Sequence, residues 1–209
     1  MSLIKNTPNV SITPYYWLKN LHKAISASLC KNSRRAMDLD TGLNHAGKII
    51  KNIIESQASI YWVGNGGSAA ICSHLAQDML NKLGAKSIFL DNSSLMTCMA
   101  NDFGYENVYL LPLKILIKPG DLLIAVSSSG NSENIVLCAE MALENSISLI
   151  SLSGINDTNG LWNMKCDLSF FVPSDLYGIV EIAHEAILHS VIESLWLTEK
   201  NSNNTEKFI

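Results

Sequence analysis

Two short loops carry the residues whose chemistry is most specific. Gly64-Asn65-Gly66-Gly67-Ser68 follows an apolar run that ends at Val63. Its glycines let the backbone turn with positive φ and let a ligand approach closely. Ser68 can cap the helix that follows, and the free N–H groups of that helix's first turn then point at a crevice. Ser127-Ser128-Ser129-Gly130-Asn131-Ser132 follows the run Leu122–Val126 and brings four hydroxyls to another helix start. Hydroxyls and helix N-termini together suit an anion, and they can bind one without lysine or arginine. Each loop alone also reads as an ordinary polar turn; two in one sheet strengthen each other. Neither is GxxxxGK[ST] or GxGxxG, which disfavours an ATP or NAD enzyme.

Metal and acid–base candidates come next. His74 and Asp78 are four residues apart on a predicted helix and share one face. That spacing suits zinc, though from the residues alone it reads first as a surface or capping pair. His184 and His189 sit amid Ile179, Ile182, Ile187, Leu188 and Val191. A lone histidine on such a face is usually a core or interface residue. Spacing alone pairs Glu185 with His189. Asp175 and Tyr177 are loop candidates for substrate contact, and no physical argument selects between them.

These groups need a scaffold that brings strand ends together. Short apolar runs at Ser59–Val63, Ser87–Leu90, Leu122–Ser127, Ser146–Leu152 and Leu168–Val172 alternate with helical stretches beginning near Ser68, Ser93, Ser132, Asn159 and Gly178. That alternation predicts an α/β fold, a parallel sheet covered on both faces. Ligands of such sheets sit beyond the carboxyl ends of the strands, where both loops lie. Asn107–Ile117 leans to helix. Residues from about Tyr15 to Ser56 read as two helices, with Leu18, Leu21, Ile25 and Leu29 in one and Leu43, Ala46, Ile49 and Ile53 in the other. The organisation is an N-terminal helical extension (1–56), the αβ unit (57–199) and a polar tail (200–209), one structural domain overall.

The chain is 47% hydrophobic and 16% charged, with a net charge of −4 and a pI near 5.7. The charged share is below the ~25% of ordinary soluble domains, so part of the apolar surface is expected to be covered by another subunit. The acidic balance argues against nucleic acid and anionic membrane as main partners. Five cysteines without a CxxC pair read as reduced thiols. The N-terminus lacks an apolar signal core and no apolar run reaches ~18 residues, so the expected location is the cytoplasm.

The stretches GNGGSAAICSHLAQDM (64–79), ANDFG (100–104), SSSGNSENI (127–135), SLSG (151–154) and EIAHEAILH (181–189) resemble the sugar isomerase (SIS) domain. Within it they are most similar to phosphoheptose isomerases, which convert sedoheptulose 7-phosphate to D-glycero-D-manno-heptose 7-phosphate for lipopolysaccharide, surface layers or capsule. The resemblance implies a three-layer αβα sandwich with a five-stranded parallel flavodoxin-like sheet, and a homotetramer with sites at subunit interfaces. It implies that Asn65, Gly66, Gly67 and Ser68 line the substrate and that Asn101 and Asp102 contact sugar hydroxyls. Ser127, Ser128, Ser129 and Ser132 would hold the phosphate, and His74, Asp78, Glu181 and His189 would hold one zinc ion.

Two positions depart from the family's pattern. Asp78 stands where those isomerases have Glu, and Glu181 where they have Gln. The metal set then has two carboxylates instead of one. Glu181 and His189 are eight residues apart, about 12 Å of rise on an ideal helix. They reach one metal only if Glu181 precedes the helix or subunits share the site. The expected chemistry is an enediol isomerisation, with Asp78 taking the carbon-bound proton, His189 as the second acid–base group and Glu181 also touching substrate. The alternative is a non-catalytic SIS module that binds a phosphosugar or a protein partner.

Overall fold

Five strands of apolar and β-branched residues build the centre of the molecule: β3 (Ser59–Gly64), β4 (Lys86–Phe89), β5 (Leu122–Val126), β6 (Ser148–Gly154) and β7 (Leu168–Val172). All pair in parallel, and β3, β5, β6 and β7 are almost wholly buried. Alternate residues serve the two faces. Ile60 and Trp62 of β3 and Leu122, Ile124 and Val126 of β5 enter one core; Tyr61, Val63, Leu123 and Ala125 enter the other. The computed structural model describes the backbone of residues 13–33 and 35–205 and the side chains through residue 201, residue 34 excepted.

Helices cover both faces, as a parallel sheet requires. α1 (Pro14–Ser26), α2 (Leu39–Glu55), α3 (Gly67–Leu83) and α8 (Tyr177–Thr205) lie with the first core. α4 (Ser93–Phe103), α5 (Leu110–Leu116), α6 (Glu133–Glu144) and α7 (Gly160–Asn163) lie with the second. The Asn107–Ile117 stretch is indeed largely helical, since α5 follows a 3-10 turn at Tyr105–Asn107. Buried Asp121 ties the amino ends of the central strands. Its carboxylate accepts from Ser59 N at 2.7 Å and from Lys118 N at 2.8 Å.

The sheet has seven strands rather than five, in the order β2-β1-β7-β6-β5-β3-β4. The two extra strands, β1 (Leu29–Asn32) and β2 (Arg35–Met37), form an antiparallel hairpin on the edge of β7. Leu29 therefore belongs to a strand and not to the helix its spacing implies. α1 stops at Ser26, and Cys30 then turns inward while Leu29 faces out. The polar tail expected from residue 200 begins as helix. α8 continues through Asn201 to Thr205, and 206–209 lie outside the described residues, as do the first twelve residues in which a signal core was sought. Among the described residues no helix is long and apolar enough to cross a membrane.

Candidate functional site

β3 and β5 are neighbours, so their carboxyl ends deliver the two loops side by side. Between them is a cleft of about 230 Å³ lined by Asn65, Gly66, Gly67, Ser68, Ser127, Ser128, Ser129, Ser132, Tyr177 and Glu181. The last two enter from the start of α8. Among the described residues no lysine or arginine contributes to this lining.

The first loop is set by its glycines. Gly66 precedes α3 with φ +55° and ψ −121°, a conformation closed to most L side chains. The helix starts at Gly67, so the cap is Gly66 and not Ser68, which lies buried in the first turn. Gly67 faces Glu181 closely: a Cβ there would stand 2.5 Å from the Glu181 carboxylate. Asn65 is held by a reciprocal amide pair with Asn134 of α6, at 2.8 and 2.9 Å, and accepts from the Tyr105 hydroxyl at 3.2 Å. The buried Tyr109 hydroxyl donates to Gly64 O at 2.7 Å. Sequence reasoning passes over Asn134, Tyr105 and Tyr109, because their contacts cross 40 to 69 residues of chain.

In the second loop Ser132 precedes α6, and Ser127 Oγ lies 3.3 Å from Ser132 Oγ and 3.5 Å from Ser129 Oγ. Ser128 is 5% exposed and its Oγ has no hydrogen-bond partner among the described residues. An unpaired buried hydroxyl costs about 1–3 kcal/mol unless something else satisfies it. A ligand oxygen at the N-terminus of α6 would do so, with the helix dipole favouring negative charge there.

A second polar group lies between α3 and α8, which pack side by side. His74, Asp78 and Lys82 of α3 face Glu185, His189 and Glu193 of α8. The His74 and His189 rings meet edge to face at 5.1 Å between centroids. His189 Nδ1 is 3.7 Å from Asp78 Oδ2, and Nε2 is 3.9 Å from Glu185 Oε1. Asp78, 6% exposed, accepts from Lys82 Nζ at 2.9 Å, and Lys82 also binds Glu193. These carboxylates, Glu193 first, hold the Lys82 ammonium above its usual pKa. Lys82 and Glu193 are absent from the sequence reading, though each extends a four-residue spacing by one step.

The metal donors sort accordingly. His74, Glu185 and His189 bring donor atoms within 4.8 Å of one another, a two-histidine, one-carboxylate set with chemistry suited to a divalent ion. Asp78, His189 and Glu193 approach similarly, but the Lys82 ammonium already sits on both of those carboxylates. Glu181 does not join His74, Asp78 and His189 within one chain. It lies inside α8, eight residues before His189, and its carboxylate is against Gly67. Asn101 and Asp102 are on exposed turns of α4, bonded to each other at 2.8 Å, and do not line the cleft. His184 is a core residue. It is fully buried, its Nε2 is 3.0 Å from Ser153 O, and burial pushes its pKa down to about 4, which leaves it neutral.

Comparison with known proteins identifies the family and the fold. The family profile described as "SIS domain" matches residues 27–154. The phosphoheptose isomerase of Akkermansia muciniphila is 31% identical over 174 residues, 79% of this chain and 89% of that protein. That of Colwellia psychrerythraea is 34% identical over 164 residues, 74% of this chain and 83% of that protein. Among solved structures, a phosphoheptose isomerase from Neisseria gonorrhoeae superposes with a TM-score of 0.76 at 23% identity, over 87% of this chain and 96% of that one.

Proposed function

The chain belongs to the SIS domain family, among the phosphoheptose isomerases, and we propose that it interconverts sedoheptulose 7-phosphate and D-glycero-D-manno-heptose 7-phosphate. The observation that carries this reading is the cleft beyond β3 and β5 with its unpartnered, buried Ser128 hydroxyl. Ser127, Ser128, Ser129, Ser132 and the first amides of α6 hold the phosphate. Asn65, Gly66, Gly67 and Ser68 line the sugar. Binding energy spent on the distal phosphate orients the reacting carbons, so it counts in the transition state as well as in binding. The chemistry is transfer of a proton between C1 and C2 through an enediol.

His74, Glu185 and His189 fit a zinc ion, and His189 with Glu185 is the pair that spacing alone selects. When bound there, zinc supplies a Lewis acid that polarises the carbonyl. We place the active form as a homotetramer, supported by exposed apolar side chains such as Tyr15, Leu80, Phe103 and Ile115, the last 81% exposed. The five free thiols support a cytoplasmic location. The described residues form one domain, to whose sheet and first core the β1–β2 hairpin, α1 and α2 contribute, and the pathway is heptose supply for a surface polysaccharide.

The test is incubation of the purified protein with sedoheptulose 7-phosphate, with and without added zinc, reading heptose 7-phosphate by NMR. Metal-dependent conversion is expected. Binding of the sugar phosphate without conversion would overturn the isomerase reading in favour of a non-catalytic SIS module.

A further inference from the structure

Two carboxylates compete for the role of proton acceptor, Asp78 and Glu181, and the structure separates them. We propose that Glu181 takes the carbon-bound proton and that Asp78 is a structural anion held by Lys82. The assignment rests on the isomerase reading above.

An acid–base group must touch the carbon it deprotonates. Glu181 lines the cleft with the serine loop; Asp78 does not. Asp78 is nearly closed off, its Oδ2 is engaged by Lys82 at 2.9 Å, and the same oxygen faces His189 at 3.7 Å. Lys82 is bound in turn to Glu193, so freeing Asp78 would break a network anchored on both helices. Among the described residues Glu181 carries no ion pair or side-chain hydrogen bond, and it is the only carboxylate among those that line the cleft. It stands over Gly67, the first residue of α3, where the helix dipole favours an anion.

Charge then orients the substrate. Among the described residues Glu181 is the one charged side chain lining a cleft that must also admit a phosphate. Like charges confined in one small cleft repel each other. The phosphate is therefore driven onto the serine loop and the N-terminus of α6, away from Glu181, and the carbonyl end of the sugar turns towards Gly67 and Glu181.

The step balances without a further reactant. A Glu181 oxygen takes the proton from C1 of the ketose, the C1–H electron pair becomes the C1=C2 bond, and the C2=O π pair moves onto O2. O2 gains a proton and O1 loses one, both exchanged with solvent. Glu181 returns its proton to C2 as C1=O1 forms, which regenerates the carboxylate and yields the aldose.

The experiment follows that proton. The full chain is incubated with sedoheptulose 7-phosphate in D2O, and deuterium at C1 of the ketose and C2 of the aldose is read by NMR. Glu181→Gln is expected to lower both exchange and conversion by about 10²- to 10⁴-fold, the range for a general base, while sugar-phosphate affinity by calorimetry is held or improved. Glu181→Asp, which keeps the carboxylate, should recover part of the exchange. Asp78→Asn should lose less than about tenfold and show a lowered unfolding midpoint, since it leaves Lys82 short of a partner. A folded Glu181→Gln protein that exchanges at near wild-type rate overturns the assignment alone, and abolition by Asp78→Asn would move the base to Asp78. Wild-type protein that neither converts nor exchanges refutes the isomerase reading, and the assignment with it.

Discussion

Gly67→Ala probes the wall on which the proposed chemistry depends. A Cβ at position 67 would stand 2.5 Å from the Glu181 carboxyl carbon, whereas ordinary contact begins near 3.4 Å. The carboxylate must retreat by the difference, about 0.9 Å. A misplacement of ~1 Å in a catalytic group costs about 10²-fold in rate. The backbone raises no objection of its own. Gly67 is the first residue of α3 and is not in a positive-φ conformation, so alanine should leave stability unchanged or raise it by about 0.5–1 kcal/mol. The expected result is a protein with an equal or higher urea midpoint and kcat/KM for sedoheptulose 7-phosphate down about 100-fold. If the loss passes through the Glu181 carboxylate, Gly67→Ala should cost little more in a Glu181→Gln background. A fully active Gly67→Ala protein, or an undiminished 100-fold loss on top of Glu181→Gln, would refute the reasoning.

Ser128→Ala removes a hydroxyl that has no partner in the protein alone. Its unfolding midpoint should hold, while sugar-phosphate affinity by calorimetry falls roughly 10- to 100-fold, the equivalent of one charge-assisted hydrogen bond of ~1.5–3 kcal/mol; unchanged affinity would remove Ser128 from the phosphate site. Glu185→Gln should cut bound zinc measured by mass spectrometry after dialysis, and Glu181→Gln should not, the opposite of what the four-residue set implied by resemblance requires. His184 makes stability depend on pH: its native pKa of about 4 lies below the 6.5 of an unperturbed histidine. The unfolded chain therefore gains a proton first as pH falls. Stability from this group is full above pH 6.5 and is lost between 6.5 and 4, by ~3 kcal/mol in order of magnitude. Urea titrations at pH 7 and 4.5 should show that loss in the wild type and a smaller one in His184→Gln; parallel curves would sink the idea. Asp121→Ala removes the acceptor of two part-buried amides, those of Ser59 and Lys118, and a total loss of about 1–3 kcal/mol in the same assay is expected.

The parallel sheet is legible in the sequence because each strand is a separate, nearly continuous apolar run followed by a helix start. The hairpin Leu29–Met37 is not, since strands of three and four residues are too short to show a period, and Leu29 continues the helical spacing of Leu18, Leu21 and Ile25 by coincidence. The two loops are legible for a local reason: each joins a strand end, a glycine and a helix start within a few residues. Contacts between distant segments leave no such mark, and the Asn65–Asn134 pair is invisible until β3 and α6 are placed.

The ladder between α3 and α8 shows where the limit lies. His74, Asp78 and Lys82 are spaced by four, and so are Glu181, Glu185, His189 and Glu193. Each stripe can be read from the sequence; the register of one against the other cannot. That register is set by the apolar contacts between the helices, among them Ile71, Leu75, Ile187 and Val191 in one core. It puts His189 between Asp78 and Glu185, and Lys82 between Asp78 and Glu193. A carboxylate on a helix is a candidate metal ligand or base only after the lysine one turn away has been accounted for. Here Lys82 claims Asp78, and the carboxylates left to do chemistry are Glu185 beside the histidines and Glu181 in the cleft, one turn apart on α8. That one-turn offset, ~6 Å along the helix axis, keeps the proposed proton acceptor on the face of α8 that carries Glu185 and His189, while His74 comes from α3, so the register of α8 against α3 sets both sites at once.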